Sequence, residues 1–209
     1  MLSSGCATFE RFDADGPGRD RWQHPDQVVG SLAVRRGARV ADIGAGGGYF
    51  TFRFARAVGP SGKVYAVDVD ETALRDIEAW ARSERMRNVV AVRGGAGDPL
   101  LPAAGVDLVF LCDTYHHLAD PVSYFRNVRR YLKPGGRVAI IDFAADGDFD
   151  RWMGHVSDPG VIYSEMRAAG YRLTQQLDYL PRQHFLIFAV EPPRATHLSL
   201  KQAVGSKGR

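Results

Sequence analysis

Short runs that are apolar at nearly every position recur along the chain, and amphipathic segments separate them. The runs are Arg39–Ile43, 62–70, Val89–Arg93, Val106–Cys112 and a fifth, "RVAIIDF", that ends at Asp142. The intervening segments 25–37, 49–59, 71–86 and 120–132 carry apolar residues at helical spacing. Strands without a polar face are typical of a parallel sheet that helices cover on both sides. The pattern therefore predicts an α/β fold with a doubly wound, mostly parallel sheet.

The last third of the chain departs from this alternation. A predicted helix at 158–170 is followed by two strand-like runs, 171–180 and 184–191, with only three residues between them. Such a short link permits a hairpin and excludes a parallel crossover, which needs about a dozen residues. We therefore expect seven strands in total, with an antiparallel last strand.

A chain of 209 residues with 45% hydrophobic residues can bury one sizeable core, and we expect a single domain. Residues 31–192 would form its catalytic core, and 193–209 a mobile tail. Residues 1–30 would form an N-terminal lid or arm, because this fold otherwise leaves its ligand cleft open and "RDRWQHPDQVV" is the only long segment upstream.

The charge pattern gives little support to nucleic-acid binding. The net charge is +3, and the basic residues include only four lysines among 27. Arginines cluster at 35, 36 and 39 and again at 126, 129 and 130, in runs typical of a solvated helix face. An RNA substrate remains an alternative.

The two cysteines, Cys6 and Cys112, form neither a disulfide framework nor a metal-ligand spacing, and we expect no metal. A reducing cytoplasm fits best. The segment "LSSGCA" at 2–7 resembles the end of a bacterial lipoprotein signal, but no basic or apolar stretch precedes it. No run of about 18 apolar residues exists to span a membrane.

Four glycines within five residues follow the first predicted strand, in the segment "VADIGAGGGYF". Ligands of doubly wound sheets bind at the carboxyl ends of the strands, where this loop lies. The dinucleotide fingerprint G-x-G-x-x-G requires a third glycine where this chain has Tyr49, which disfavours a nicotinamide cofactor. The chain instead has Asp42 in a D-x-G-x-G-x-G arrangement. Asp68 ends the second strand, in a position to accept both hydroxyl hydrogens of an adenosine ribose.

In these motifs the sequence resembles the class I S-adenosylmethionine-dependent methyltransferases, from about residue 27 to 192. "VYAVDVD", "VDLVFLCDTYHHL", "LKPGGRVAIID" and the closing antiparallel strand add to the glycine loop, and the ordered set is more specific than any one part. The nearest branch is the small-molecule group related to quinone and sterol C-methyltransferases. A Rossmann-like methyltransferase fold is what this resemblance implies.

The resemblance also implies roles for individual residues. The methionine part of the cofactor would lie against the backbone of the loop, Asp42 would orient its ammonium group, and Asp113 would line the same side. Asp68 would hold the ribose, Val69 would pack on the adenine, and Asp98 would accept from the adenine amino group. The implied cofactor-binding set is Asp42, Gly44, Ala45, Gly46, Gly48, Asp68, Val69, Asp98 and Asp113.

Methyl transfer mainly requires alignment of two reactants and exclusion of water, but a hydroxyl or carbon nucleophile must also lose a proton. His116 and His117, after the fourth strand, are the candidate bases; we expect at most one to face the substrate, and a structural role for both stays open. The chain lacks the N-P-P-Y or D-P-P-Y loop of amino methylation, and Cys112 lies at a strand end rather than in an exposed loop. A small-molecule acceptor is therefore expected. A noncatalytic cofactor-binding protein and an NAD(P)-binding oxidoreductase remain as alternatives.

Overall fold

The computed structural model describes residues 18–102, 104–144 and 157–192. Its strands are β1 (Arg39–Ile43), β2 (Lys63–Asp68), β3 (Val89–Arg93), β4 (Val106–Cys112), β5 (Leu132–Phe143), β6 (Tyr171–Leu177) and β7 (Gln183–Val190). Its helices are α1 (Arg19–Gln23), α2 (Pro25–Ser31), α3 (Thr51–Val58), α4 (Glu71–Ser83), α5 (Pro121–Val128) and α6 (Pro159–Ala168), with a 3₁₀ turn at Tyr115–His117. The predictions for the 2–7 segment and the 193–209 tail fall outside the described residues.

The seven strands form one sheet in the order β3-β2-β1-β4-β5-β7-β6. The pairs β1–β2, β1–β4, β2–β3 and β4–β5 are parallel, whereas β7 runs antiparallel to both β5 and β6. The predicted fold class is therefore confirmed, including the antiparallel last strand and the hairpin that leads into it.

Successive strand residues point to opposite sides of the sheet, and both sides are buried because helices cover them. On one face, Val40 and Phe110 pack with apolar residues of α2 and α3, and α4 adds a smaller cluster around Ile77. On the other face, Val109 and Ile140 pack with residues of α5 and α6. The apolar strands seen in the sequence are thus explained by a three-layer arrangement.

Two predicted helix ends and one strand start were wrong. The helix predicted at 25–37 ends at Ser31, because Ala33 adopts a left-handed conformation with φ of 46°. The helix predicted at 120–132 ends at Val128, and β5 begins at Leu132 rather than after the "KPGG" segment. The early start follows from main-chain pairing, since Leu132 already lies opposite Val106 on β4. Helix α1 was not predicted.

The parallel strands present their carboxyl ends along one edge of the sheet. The strand order reverses between β1 and β4, with β2 and β3 added on one side and β5 on the other, so the carboxyl ends of these two parallel strands flank the crevice where doubly wound folds bind ligands. Asp42 lies next to the end of β1 and Asp68 ends β2, while Cys112 ends β4 and Asp142 lies near the end of β5. Within residues 18–102, 104–144 and 157–192, no helix has the length and apolarity to cross a bilayer.

Candidate functional site

The glycine loop is tied to the end of β2 by its main chain. The amide groups of Gly44 and Ala45 both donate to the carbonyl oxygen of Val67, at 2.8 and 3.0 Å. Gly44, Gly46 and Gly48 all have positive φ, which favours glycine at each position. The protein's own main chain therefore ties the start of the loop to β2.

The three alternate glycines differ in what surrounds them. A Cβ at Gly44 would lie 2.1 Å from Thr114 Oγ1, and a Cβ at Gly48 would lie 2.5 Å from the ring of Phe52. A Cβ at Gly46, in contrast, would meet no atom within 4 Å. Gly44 and Gly48 thus allow close packing within the protein, whereas Gly46 lies under open space that a ligand can fill.

Asp68 lies directly beside this open position. Its Oδ2 accepts from the amide of Gly46 at 2.8 Å, and its Oδ1 accepts from the amide of Asp70 at 2.9 Å. A carboxylate has about four acceptor sites, so capacity for two further donors remains. The neighbouring Val69 is 64% exposed, which leaves an apolar surface at the mouth of the site. The structure thus joins the loop and the acid that sequence spacing had paired.

Asp42 is buried beneath the loop and accepts from the hydroxyl of Thr51 at 2.6 Å. Burial raises the pKa of Asp42 to about 7, and the nearby Asp68 carboxylate adds to the shift, while the Thr51 hydrogen bond opposes it. A cation bound nearby would favour the ionised carboxylate. Asp42 is therefore suited to respond to a positively charged group.

Asp113 follows β4 and has a φ of 52°, which is uncommon for a non-glycine residue. Its carboxylate accepts from Gln183 and lies 3.4 Å from the Arg19 guanidinium. Burial raises the pKa of Asp113 to about 6, and the Arg19 charge opposes the shift. Gln23 also reaches this cluster and donates to Gln183 at 2.8 Å. Helix α1 thus packs against the carboxyl end of β4 and the first residue of β7.

His116 and His117 lie in the 3₁₀ turn after β4, with ring centroids 4.0 Å apart. His116 points inward, and its Nδ1 lies 2.7 Å from Oδ1 of the fully buried Asp142. The residue His117 is exposed. The two rings therefore have different surroundings, and the inward one is paired with a carboxylate.

Asp98 is bonded to its own loop and to the segment that follows α5. Its carboxylate accepts from the Tyr131 hydroxyl and the Leu100 amide, both at 2.8 Å, and from Arg130 at 2.5 Å. Three of its acceptor sites are thus engaged by the protein. The role of Asp98 toward an adenine amino group stays a prediction.

Sequence reasoning missed several side chains that shape this site. They are Thr51 and Thr114 around the loop, Arg19 and Gln183 around Asp113, and Asp142 beside His116. Asp142 could have been found, because it ends an apolar run in the same way as Asp42. The others carry no such signal. Among the residues that the structure describes, no group of three or more His, Cys, Asp or Glu could hold a metal ion.

Residues 35–179 match the family described as "Methyltransferase domain". The chain belongs to this methyltransferase family. Among curated relatives, the ubiquinone/menaquinone biosynthesis C-methyltransferase of Pasteurella multocida is 33% identical over 123 residues, 56% of this chain and 44% of that protein. The demethylmenaquinone methyltransferase of a Geobacillus species is 26% identical over 122 residues, 58% of this chain and 51% of that protein.

The solved structures agree on the fold. The S-adenosylmethionine-dependent methyltransferase of Aquifex aeolicus superposes with a TM-score of 0.77 at 24% identity, covering 86% of this chain and 96% of that one. The resemblance seen in the sequence, to class I S-adenosylmethionine-dependent methyltransferases related to quinone C-methyltransferases, is therefore confirmed. S-adenosylmethionine is the cofactor of that family. This methyltransferase chain spans about half the length of the curated relatives it matches.

Proposed function

We propose that this chain binds S-adenosylmethionine and transfers its methyl group to a small-molecule acceptor. The hydrogen bond from the Gly46 amide to Asp68, 2.8 Å long and beside open space at Gly46, carries the proposal. This bond holds a backbone position that carries no side chain next to a carboxylate with spare acceptor capacity. An adenosyl group joined to an amino acid requires both features.

The residues present fit this cofactor. The remaining acceptor sites of Asp68 would take the two ribose hydroxyls, and exposed Val69 would pack on the adenine, with Asp98 as the candidate acceptor for its amino group. The methionine part would lie along Gly44, Ala45, Gly46 and Gly48, with Asp42 and Asp113 near its ammonium group. When bound, the cofactor supplies an electrophilic methyl group on a sulfonium.

The acceptor proposal rests on chemistry and on the relatives. The curated relatives are named as C-methyltransferases of ubiquinone and menaquinone biosynthesis, and methylation at carbon requires an acceptor carbon that is activated as a nucleophile. His116 or His117 would remove the proton that such a nucleophile loses. Residues 1–30 would form the lid; residues 1–17 lie outside the described part of the chain, and the support comes from α1, where Gln23 donates to Cys112 and Gln183. A cytoplasmic location agrees with the free, buried thiol of Cys112.

Calorimetric titration with S-adenosylhomocysteine, beside NADH, tests the cofactor. We expect binding of the former, and a loss of about 1.5 to 3 kcal/mol in Asp68→Ala, the range for hydrogen bonds to a charged group. Asp76→Ala removes an exposed acid from α4 and serves as the matched control. Tighter binding of NADH, or an unchanged dissociation constant in Asp68→Ala, would refute the assignment.

Transfer itself needs a second assay. Protein supplied with methyl-labelled S-adenosylmethionine should move label to a member of a panel of hydroquinones and phenols, or to a component of a metabolite extract. Label that stays on the cofactor, in a protein that binds S-adenosylhomocysteine, would leave a binding protein and contradict the transferase half of the proposal.

A further inference from the structure

The carboxylate of Asp142 collects four hydrogen bonds in the interior of the protein. The side chain is fully buried, and Oδ1 accepts from the Phe143 amide at 3.0 Å while lying 2.7 Å from His116 Nδ1. Oδ2 accepts from the His116 amide at 3.0 Å and from the Ser157 hydroxyl at 2.9 Å. The two amides and the Ser157 hydroxyl can only donate to this carboxylate. An ionised carboxylate therefore accepts all four hydrogen bonds when His116 Nδ1 also donates.

We propose that Asp142 is a positioning residue that fixes His116 with its proton on Nδ1, so that Nε2 is the basic nitrogen of the ring. The proposal rests on the methyltransferase function proposed above and adds the residue that orients its base. A buried carboxylate that accepts from Nδ1 selects the tautomer of an imidazole and stabilises the imidazolium formed after proton uptake.

The same turn contacts the cofactor loop, which places the pair at the site. Thr114, two residues before His116, lies against Gly44, and its hydroxyl donates to the carbonyl of Cys112 at 2.9 Å. The amide of His116 is itself bonded to Asp142, so both the backbone and the ring of this residue are fixed. The titratable groups around the pair include Asp113 after β4, Tyr115 and His117 in the turn, and His184, the β7 neighbour of Asp142.

The proton step defines the acceptor class. As the new bond to the methyl carbon forms, the methyl–sulfur bond breaks and its electron pair stays on sulfur. The proton of the attacking hydroxyl, or of the hydroxyl that activates a ring carbon, moves to Nε2 of His116 and yields an imidazolium whose Nδ1–H still donates to the carboxylate of Asp142. Solvent then takes up the proton. This pairing suits a phenol or hydroquinone, whose proton a neutral imidazole can accept.

Nitrogen-15 NMR of histidine-labelled protein tests the tautomer without any turnover. His116→Gln identifies the resonances, and Ser157→Ala is the matched control, because it removes a different donor from Asp142. We expect the Nδ1–H form in the wild type and in Ser157→Ala, and a shift toward Nε2–H in Asp142→Asn, whose amide can donate to Nδ1. A wild-type ring protonated on Nε2, or a tautomer unchanged in folded Asp142→Asn, would overturn the proposal. If Asp142→Asn does not fold, the wild-type tautomer alone decides.

A phenolic probe tests the base. The ionised form of 4-nitrophenol absorbs visible light, and we expect the complex with S-adenosylhomocysteine to increase this form in the wild type and in the surface control Asp76→Ala. The increase should be lost in His116→Gln and Asp142→Asn. No increase in the wild type would overturn the assignment of a phenolic acceptor. Since S-adenosylhomocysteine affinity is measured separately, its loss identifies a failure of the proposed function, and normal affinity with the wrong tautomer identifies a failure of this inference alone.

Discussion

Asp42 makes the fold depend on pH in a direction opposite to that of most carboxylates. Burial raises the pKa of this carboxyl from 3.8 to about 7, so the folded state holds the proton more tightly than the unfolded chain. The contribution of this group to stability is therefore lost as pH rises from about 4 to about 7, and it changes little above that. Replacing Asp42 by Asn removes the ionisation and keeps an oxygen that can accept from Thr51.

The size of the effect follows from the two pKa values. At pH 5, which lies about one unit above the unfolded pKa of 3.8, the stability has already fallen by the equivalent of about one pKa unit. At pH 8 it has fallen by the full difference between 3.8 and about 7. With about 1.4 kcal/mol per pKa unit, the stability of the wild type should fall by about 3 kcal/mol relative to Asp42→Asn between these pH values. Asp113, which also has a raised pKa, is present in both proteins and cancels.

Urea denaturation of both proteins at pH 5 and pH 8, with equal slopes, measures this difference directly. Asp76→Asn, at an exposed position on α4, is the control for a generic loss of negative charge and should show no such change with pH. An advantage of Asp42→Asn that is the same at both pH values would show that the buried carboxyl does not titrate in this range, and the electrostatic reasoning would be wrong.

Three further predictions concern packing, two of them at the site and one at the opposite edge of the sheet. Gly44→Ala should cost about 3 kcal/mol of stability in urea denaturation, because its Cβ would overlap Thr114, whereas Gly46→Ala should cost about 1 kcal/mol for its positive φ yet weaken S-adenosylhomocysteine binding more. The assignment of Gly44 to internal packing and of Gly46 to ligand binding would be wrong if Gly46→Ala lost more stability and Gly44→Ala lost more affinity. Asn88→Ala should lose about 2 kcal/mol with unchanged cofactor affinity, since the buried Asn88 amide donates to the carbonyls of Ala55 and Gly59 at 2.8 and 3.0 Å. In a Cys6→Ser background, Cys112 should react with Ellman's reagent only after unfolding, because burial and the Asp113 charge raise the pKa of its thiol; rapid reaction of the native protein would contradict this.

The fold was predictable because its main signal is local. Parallel strands that are covered on both faces must be apolar throughout, and this separated Val106–Cys112 and the other strands from amphipathic helices such as α4. The errors occurred where tertiary contacts decide. Residues 129–132 carry a helix-like pattern, but pairing of Leu132 with Val106 draws them into the turn and strand β5. Helix α1 has only five residues, too few for a periodic pattern.

Of the candidate site, the sequence could indicate only residues that lie at or directly after the ends of their strands. The glycine loop and Asp68 follow their strands directly, and spacing alone paired them. Gln183 and Arg19 meet Asp113 from segments about 70 and 94 residues away, and nothing in their local sequence marks them. The hydrogen bonding of the Asp98 carboxylate likewise depends on Arg130 and Tyr131, which are about 32 residues away in the sequence and meet it only in the folded protein.

The alternation of strand residues also separates the two halves of the proposed chemistry. Asp42 and Asp68 share the strand parity of Val40 and Ala66, and so lie toward the face that α3 and α4 cover. Asp142 shares the parity of Ile140 and lies with His116 toward the face covered by α5 and α6. Carboxylates that favour a cation and a base that takes up a proton therefore approach the same edge from opposite sides of the sheet. Burial disfavours the ionised form of Asp42, so this carboxyl on the cofactor side should lose its proton when a cation binds nearby. On the acceptor side, four hydrogen bonds hold Asp142, so Asp142 and His116 should keep their positions.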